Sequence, residues 1–86
     1  MPEISRFLGI IITMYFKEHG VPHFHARYGG FRAAFSIEDL RLIEGRLPSR
    51  VTALVLEWAF EHRNELLENW RRAAARKPLR PVLPLE

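Results

Sequence analysis

Two histidines and two arginines are spaced for joint chemistry: His23, His25 and Arg27 on alternate positions and, past a Gly29-Gly30 pair, Arg32. Imidazoles exchange protons near neutrality, and guanidiniums grip phosphate or carboxylate through paired hydrogen bonds. Residues two apart on a strand project from one face, about 6.6 Å from each other. An acid–base pair acting in line on a phosphodiester needs a comparable separation, with the phosphate between its members. These residues therefore fit a metal-independent ribonuclease, in which one histidine takes the 2′-hydroxyl proton and the other protonates the leaving oxygen. Arg27 and Arg32 would hold the developing charge, with Ser36 on a phosphate oxygen. Without proton transfer the same set is an anion-binding site. Without any ligand it is a hairpin surface whose histidines bond to backbone or neighbours.

A third chemistry uses His19, His23 and His25, or His62 in place of His19, as a metal site of a regulatory protein. Same-face histidines suit zinc or nickel. No third ligand stands at a fixed spacing, however, and the chain has no cysteine, so the expectation is no metal and no cofactor.

A β-hairpin positions these groups. Paired glycines between alternating segments signal a two-residue turn in which both central residues take positive φ. Across that turn Tyr28 faces Phe31, Ala26 faces Ala33 and Phe24 faces Phe35 on an apolar, buried side. The other side sets Arg27 against Arg32, His25 against Ala34 and His23 against Ser36. Like charges directly opposed cost up to about 1 kcal/mol, and an anion seated between them offsets that cost.

Around the hairpin, Gly9 to Phe16 is apolar at nearly every position and β-branched, as in a strand covered on both faces. Leu40 to Arg46 reads as a further strand ending near Gly45, and Lys17 to Pro22 as a connection. Pro48 and Ser49 announce a helix, as first-turn proline and N-cap candidate. From Arg50 to Arg76 the apolar positions recur with helical spacing, with a bend and an Asn64 cap as an option near His62-Arg63-Asn64. The apolar arc exceeds half the circumference, where a helix lying on one sheet needs about 100°. Either it packs on two surfaces or it meets a second chain. Glu57, Glu61, Glu65 and Glu68 make a stripe that reads as a solvated face. From Lys77 onward proline recurs every third residue, the polyproline period, so the tail docks on its own sheet or on a partner.

The fold expected is α+β: a small antiparallel sheet of three to four strands with one long C-terminal helix packed on it. Residues 1–76 form the domain and 77–86 an extended tail. Eighty-six residues are enough for one domain. No apolar run approaches the ~20 residues that span a bilayer, and no leader pattern opens the chain, so the expectation is a cytoplasmic protein without membrane contact. The net charge of +3 is uneven. Residues 1–70 hold eight basic and nine acidic side chains, whereas 71–86 hold Arg71, Arg72, Arg76, Lys77 and Arg80 against Glu86. Such a basic end suits RNA, DNA or an acidic partner, or is simply solvated.

Several segments together match a family pattern: Met1-Pro2-Glu3-Ile4, Gly9 to Phe16, Pro22-His23-Phe24-His25-Ala26-Arg27-Tyr28-Gly29, Glu44-Gly45-Arg46-Leu47-Pro48, Leu54-Val55-Leu56-Glu57-Trp58, Glu65 to Trp70 and Pro78-Leu79. The chain resembles the bacterial and archaeal family named domain of unknown function 4160. It departs from the pattern at Val21, where a second proline is frequent, and at Gly30, where an acid is frequent. The resemblance implies a two-gene, toxin–antitoxin-like module whose other member is a small protein of domain of unknown function 2442 type. It implies no assigned activity. On this reading Trp58, Trp70, Leu79, Val82 and Leu85 meet the cognate partner. The anion or nucleic-acid surface is Arg27, Arg32 and Ser36 with Arg71, Arg72, Arg76 and Lys77, and His23 and His25 are the catalytic pair if the protein is a ribonuclease.

Overall fold

Local backbone chemistry folds the amino-terminal half into one continuous antiparallel meander. The computed structural model describes residues 3–16 and 19–85. Met1, Pro2, Lys17, Glu18 and Glu86, which belong to the family segment, the connection and the tail discussed above, lie outside the described residues. Five strands, β1 (Glu3–Phe7), β2 (Ile10–Thr13), β3 (His23–Tyr28), β4 (Phe31–Ser36) and β5 (Leu42–Arg46), lie side by side in chain order. Two helices follow, α1 (Ser49–Glu61) and α2 (Arg63–Ala74).

The sheet thus has one strand more than the upper expectation, and the difference lies at β1. Leu8 and Gly9 turn the chain with φ of 51° and 80°, so Glu3–Phe7 folds back on Ile10–Thr13. A leucine in the left-handed region is uncommon, and no Asn-Gly or Gly-Gly pair advertises this turn. The β3–β4 hairpin has the predicted register at all six pairs, from His23 opposite Ser36 to Tyr28 opposite Phe31. Its turn differs in one detail: Gly29 takes positive φ, at 57°, and Gly30 does not, which is the pattern of a type II′ turn.

One face of the sheet is the core. Phe7, Ile10, Ile12, Met14, Phe24 and Phe35 pack there against Val51, Val55, Trp58 and Ala59 of α1. Strand β2 is not apolar-covered on both sides as expected. Ile10, Ile12 and Met14 face the core, while Thr13 pairs with His25 on the opposite face.

The single long helix is interrupted at His62, which leaves helical geometry at φ −114° and ψ 23°. Asn64 lies inside α2 and caps nothing, and Pro48 rather than Ser49 occupies the N-cap of α1, without a side-chain cap bond. The wide apolar arc is explained by packing on two surfaces. The sheet takes one side and the tail the other: Leu79, Val82 and Leu85 pack onto the same core as Leu66. Polar anchors hold the tail down. The buried Asn69 side chain donates to the Arg80 carbonyl at 2.9 Å and accepts from the Arg80 amide at 2.8 Å. The Trp58 indole donates to the Leu83 carbonyl at 2.8 Å, and the Val82 amide donates to the Ile4 carbonyl at 2.7 Å. The tail therefore covers the β1 edge, whereas the five residues of β5 are exposed at the opposite edge. Among the described residues no helix is long and apolar enough to cross a membrane.

Candidate anion-binding site on the outer sheet face

The ladder registers, taken together, line up side chains in two rows across the face opposite the core. One row runs Arg6, Ile11, Arg27, Arg32, Arg46, strand by strand from β1 to β5. The neighbouring row runs Glu3, Thr13, His25, Ala34, Glu44. Neighbouring strands lie about 4.8 Å apart, so the first row is a line of four arginine positions broken by one isoleucine.

The outer two arginines already have partners. Arg6 forms a two-bond ion pair with Glu3, at 3.0 and 2.8 Å. The hydrogen bonds from Arg6 hold the exposed Glu3 carboxyl below the ordinary range, and the charge of Arg27 adds to the effect. The Arg46 guanidinium stands over the Phe31 ring, 5.6 Å from its centroid. Among the described residues no carboxylate lies within ion-pairing distance of Arg27 or Arg32. The central pair is therefore, among the described residues, two opposed cations in no ion pair, in the orientation expected from the hairpin.

Beside that pair the face is concave, because its second row carries small residues in the middle. Ala34 is only 3% exposed and Thr13 only 6%, although both point away from the core. They floor a hollow of about 560 Å³ whose walls include Tyr15, His25, Arg27, Arg32 and Glu44. The Tyr15 and His25 rings meet edge to face, with centroids 4.8 Å apart. One side of the hollow is aromatic, one is cationic, and Glu44 adds a carboxylate at the rim.

His23 takes a different part from the one expected. It sits one step beyond the hollow, its ring 5.2 Å from His25 and 5.0 Å from Trp70 of α2, with Nδ1 2.8 Å from the Val21 carbonyl. The His23 and His25 rings are in contact at 70°, so no phosphate-sized space separates them. Ser36 does not reach the hollow either. Its hydroxyl donates to Asp39, and this bond lowers the Asp39 carboxyl below its usual range. The alternative metal set His19, His23 and His25 is not assembled: among the described residues no group of three histidine, cysteine, aspartate or glutamate side chains converges.

Arg72 of the basic end and the expected partner anchors serve the chain itself, while the side chains of Arg71, Arg76 and Lys77 are exposed. Arg71 and Arg72 approach Glu68 at 3.6 and 3.7 Å, and Arg72 donates to the Pro78 carbonyl at 3.1 Å. Arg76 turns the chain out of α2 with φ 58°. Its amide bonds to Ala73 and that of Lys77 to Arg72, closing the helix with a Schellman motif in which an arginine holds the position usually given to glycine. None of Arg71, Arg72, Arg76 and Lys77 lines the hollow. Trp58 and Val82, expected at a partner interface, are buried in the chain's own core, with Leu79, Leu85 and Trp70 partly buried against it.

Sequence reasoning missed Arg6, Arg46, Thr13, Tyr15 and Glu44. Alternation from Ile10 through β2 and on past its end was a usable signal for two of them, since it sets Thr13 and Tyr15 against Ile10, Ile12 and Met14.

The protein is thus a small α+β domain with a basic, ligand-sized hollow on the open side of its sheet. The pattern of the family described as domain of unknown function (DUF4160) matches residues 9–71, and the chain belongs to that family. No curated protein matches it, and no solved structure matches it. The matched span contains every residue that walls the hollow.

Proposed function

We propose that this protein binds a phosphate-bearing polymer, RNA or DNA, on the outer face of its sheet, with Arg27 and Arg32 on the phosphate. The observation that carries the reading is the opposed arginine pair, with no carboxylate in ion-pairing distance among the described residues, beside a hollow floored by Ala34 and Thr13. Keeping two like charges in register costs stability in the free protein. A phosphate between them removes that cost and accepts hydrogen bonds from both guanidiniums.

The ribonuclease reading has less support. His25 walls the hollow, but His23 packs between His25 and Trp70, and a two-histidine mechanism needs both at the phosphate. The cognate protein partner implied by the two-gene arrangement has surfaces left to it, although most of the tail is taken up by its own domain. They include the outer edge of β5, with Leu42 and Ile43 half exposed, Phe60 on α1, and Leu83, the exposed apolar residue of the tail.

Binding of a labelled oligonucleotide across a salt series tests the proposal. Loss of both contacts in the Arg27→Ala, Arg32→Ala double variant is expected to weaken binding at low salt by about tenfold or more. It should also reduce the slope of log affinity against log salt by about 2. An unchanged affinity and slope would remove Arg27 and Arg32 from the binding surface.

A further inference from the structure

The hollow differs from a plain cationic patch in two respects, and both bear on what it accepts. Its cationic side is short, with two available guanidiniums at one end, and its other end is aromatic. Arg27 and His25 are two residues apart on β3, about 6.7 Å along the strand, which is the reach of one sugar between a phosphate and its base. Tyr15 extends the aromatic end by its edge-to-face contact with His25. Glu44 faces the same space from β5, and a carboxylate there repels a second phosphate while accepting a hydrogen bond from a sugar hydroxyl or a base amino group.

Taking the anion-binding reading as its premise, we propose that the hollow seats one nucleotide of a single strand, its phosphate between Arg27 and Arg32 and its base against Tyr15 and His25. Base pairing and stacking within a duplex hide the base faces that such a site uses, whereas an unpaired base offers its face to an aromatic side chain at no pairing cost. The concavity works in the same direction. A rigid duplex meets the rim, while a base swung out of a flexible strand reaches the Ala34 and Thr13 floor. The site is therefore selective for unpaired nucleic acid over both duplex and inorganic polyphosphate.

The test is fluorescence anisotropy on the full chain, with one labelled oligoribonucleotide offered as a single strand and as a blunt duplex, and pyrophosphate as competitor. The single strand should bind about tenfold tighter than the duplex, and Tyr15→Leu should abolish most of that preference. Tyr15→Phe should keep it, and pyrophosphate competition should be the same in both variants. If Tyr15→Leu fails a thermal-melt check, His25→Ala against His25→Phe makes the same comparison. Equal affinity for strand and duplex, unmoved by these changes but lost on removing Arg27 and Arg32, would overturn the single-nucleotide site and leave the anion site standing. Binding indifferent to the arginines as well would overturn the anion-binding reading beneath it.

Discussion

Replacing Gly45 with valine is expected to lower the melting temperature by about 15 °C and to weaken oligonucleotide binding together with it. Gly45 sits in β5 at φ +75°, and a Cβ added there would collide with the Arg32 carbonyl oxygen across the ladder. A β-branched residue meets two penalties at once, the left-handed backbone and an overfilled contact against main chain, together about 3 kcal/mol. The most direct relief is for β5 to lift from β4. That movement carries away Glu44, which walls the hollow, and Arg46, which extends the arginine row. Circular dichroism melts and anisotropy on the same samples check both halves. A folded Gly45→Val variant with unchanged melting temperature would mean that β5 is not paired in this register.

Trp58→Ala should be the most damaging core substitution, removing about 4 kcal/mol of stability. For a chain of this length, total stability is on the order of 9 kcal/mol at roughly 0.1 kcal/mol per residue, so the loss approaches half. Trp58 is fully buried, packs its ring against Phe7, Phe24 and His62, and donates to the tail at Leu83. It joins sheet, helix break and tail, so its truncation opens a cavity at the meeting point of three elements. Trp58→Phe keeps much of the packing and loses the indole donor, and is expected to cost nearer 1–2 kcal/mol. Urea unfolding of the two variants separates the contributions. Equal midpoints for Trp58→Phe and the parent chain would show that the bond to Leu83 does not help to hold the tail.

The central hairpin was legible from residue types alone because Gly29-Gly30 fixes where the chain turns and alternation then fixes every pair. The opposed Arg27 and Arg32 came with it. The flanking strands were less readable, for different reasons. The β1–β2 turn is made by Leu8 and Gly9, and leucine carries no turn signature, so Arg6 and Glu3 had no predicted neighbours. Strand β5 was foreseen, but the irregular pairing at Ala34 and Phe35 shifts its register, and only coordinates place Arg46 opposite Arg32 and Glu44 beside the hollow. The helical region was legible in its sidedness, but it is two helices broken at His62 and ending at Ala74 rather than one long helix to Arg76. Its surplus apolar surface had two explanations, and the choice between them depended on Asn69 binding the backbone of Arg80, a contact between side chain and tail that no periodicity reveals. His23 shows the limit most plainly. Its position on the hairpin was right, and its direction toward Trp70 follows from where α2 passes the sheet.

Amide and arginine side-chain shifts of the isotope-labelled protein, followed by NMR during titration with a short single-stranded RNA, test the central claim most directly. The account predicts the largest perturbations at Thr13, Tyr15, His25, Arg27, Arg32, Ala34 and Glu44, on one face of the sheet and around one hollow. Perturbations confined to the Arg71, Arg72 and Lys77 end of α2, with the outer face silent, would contradict it.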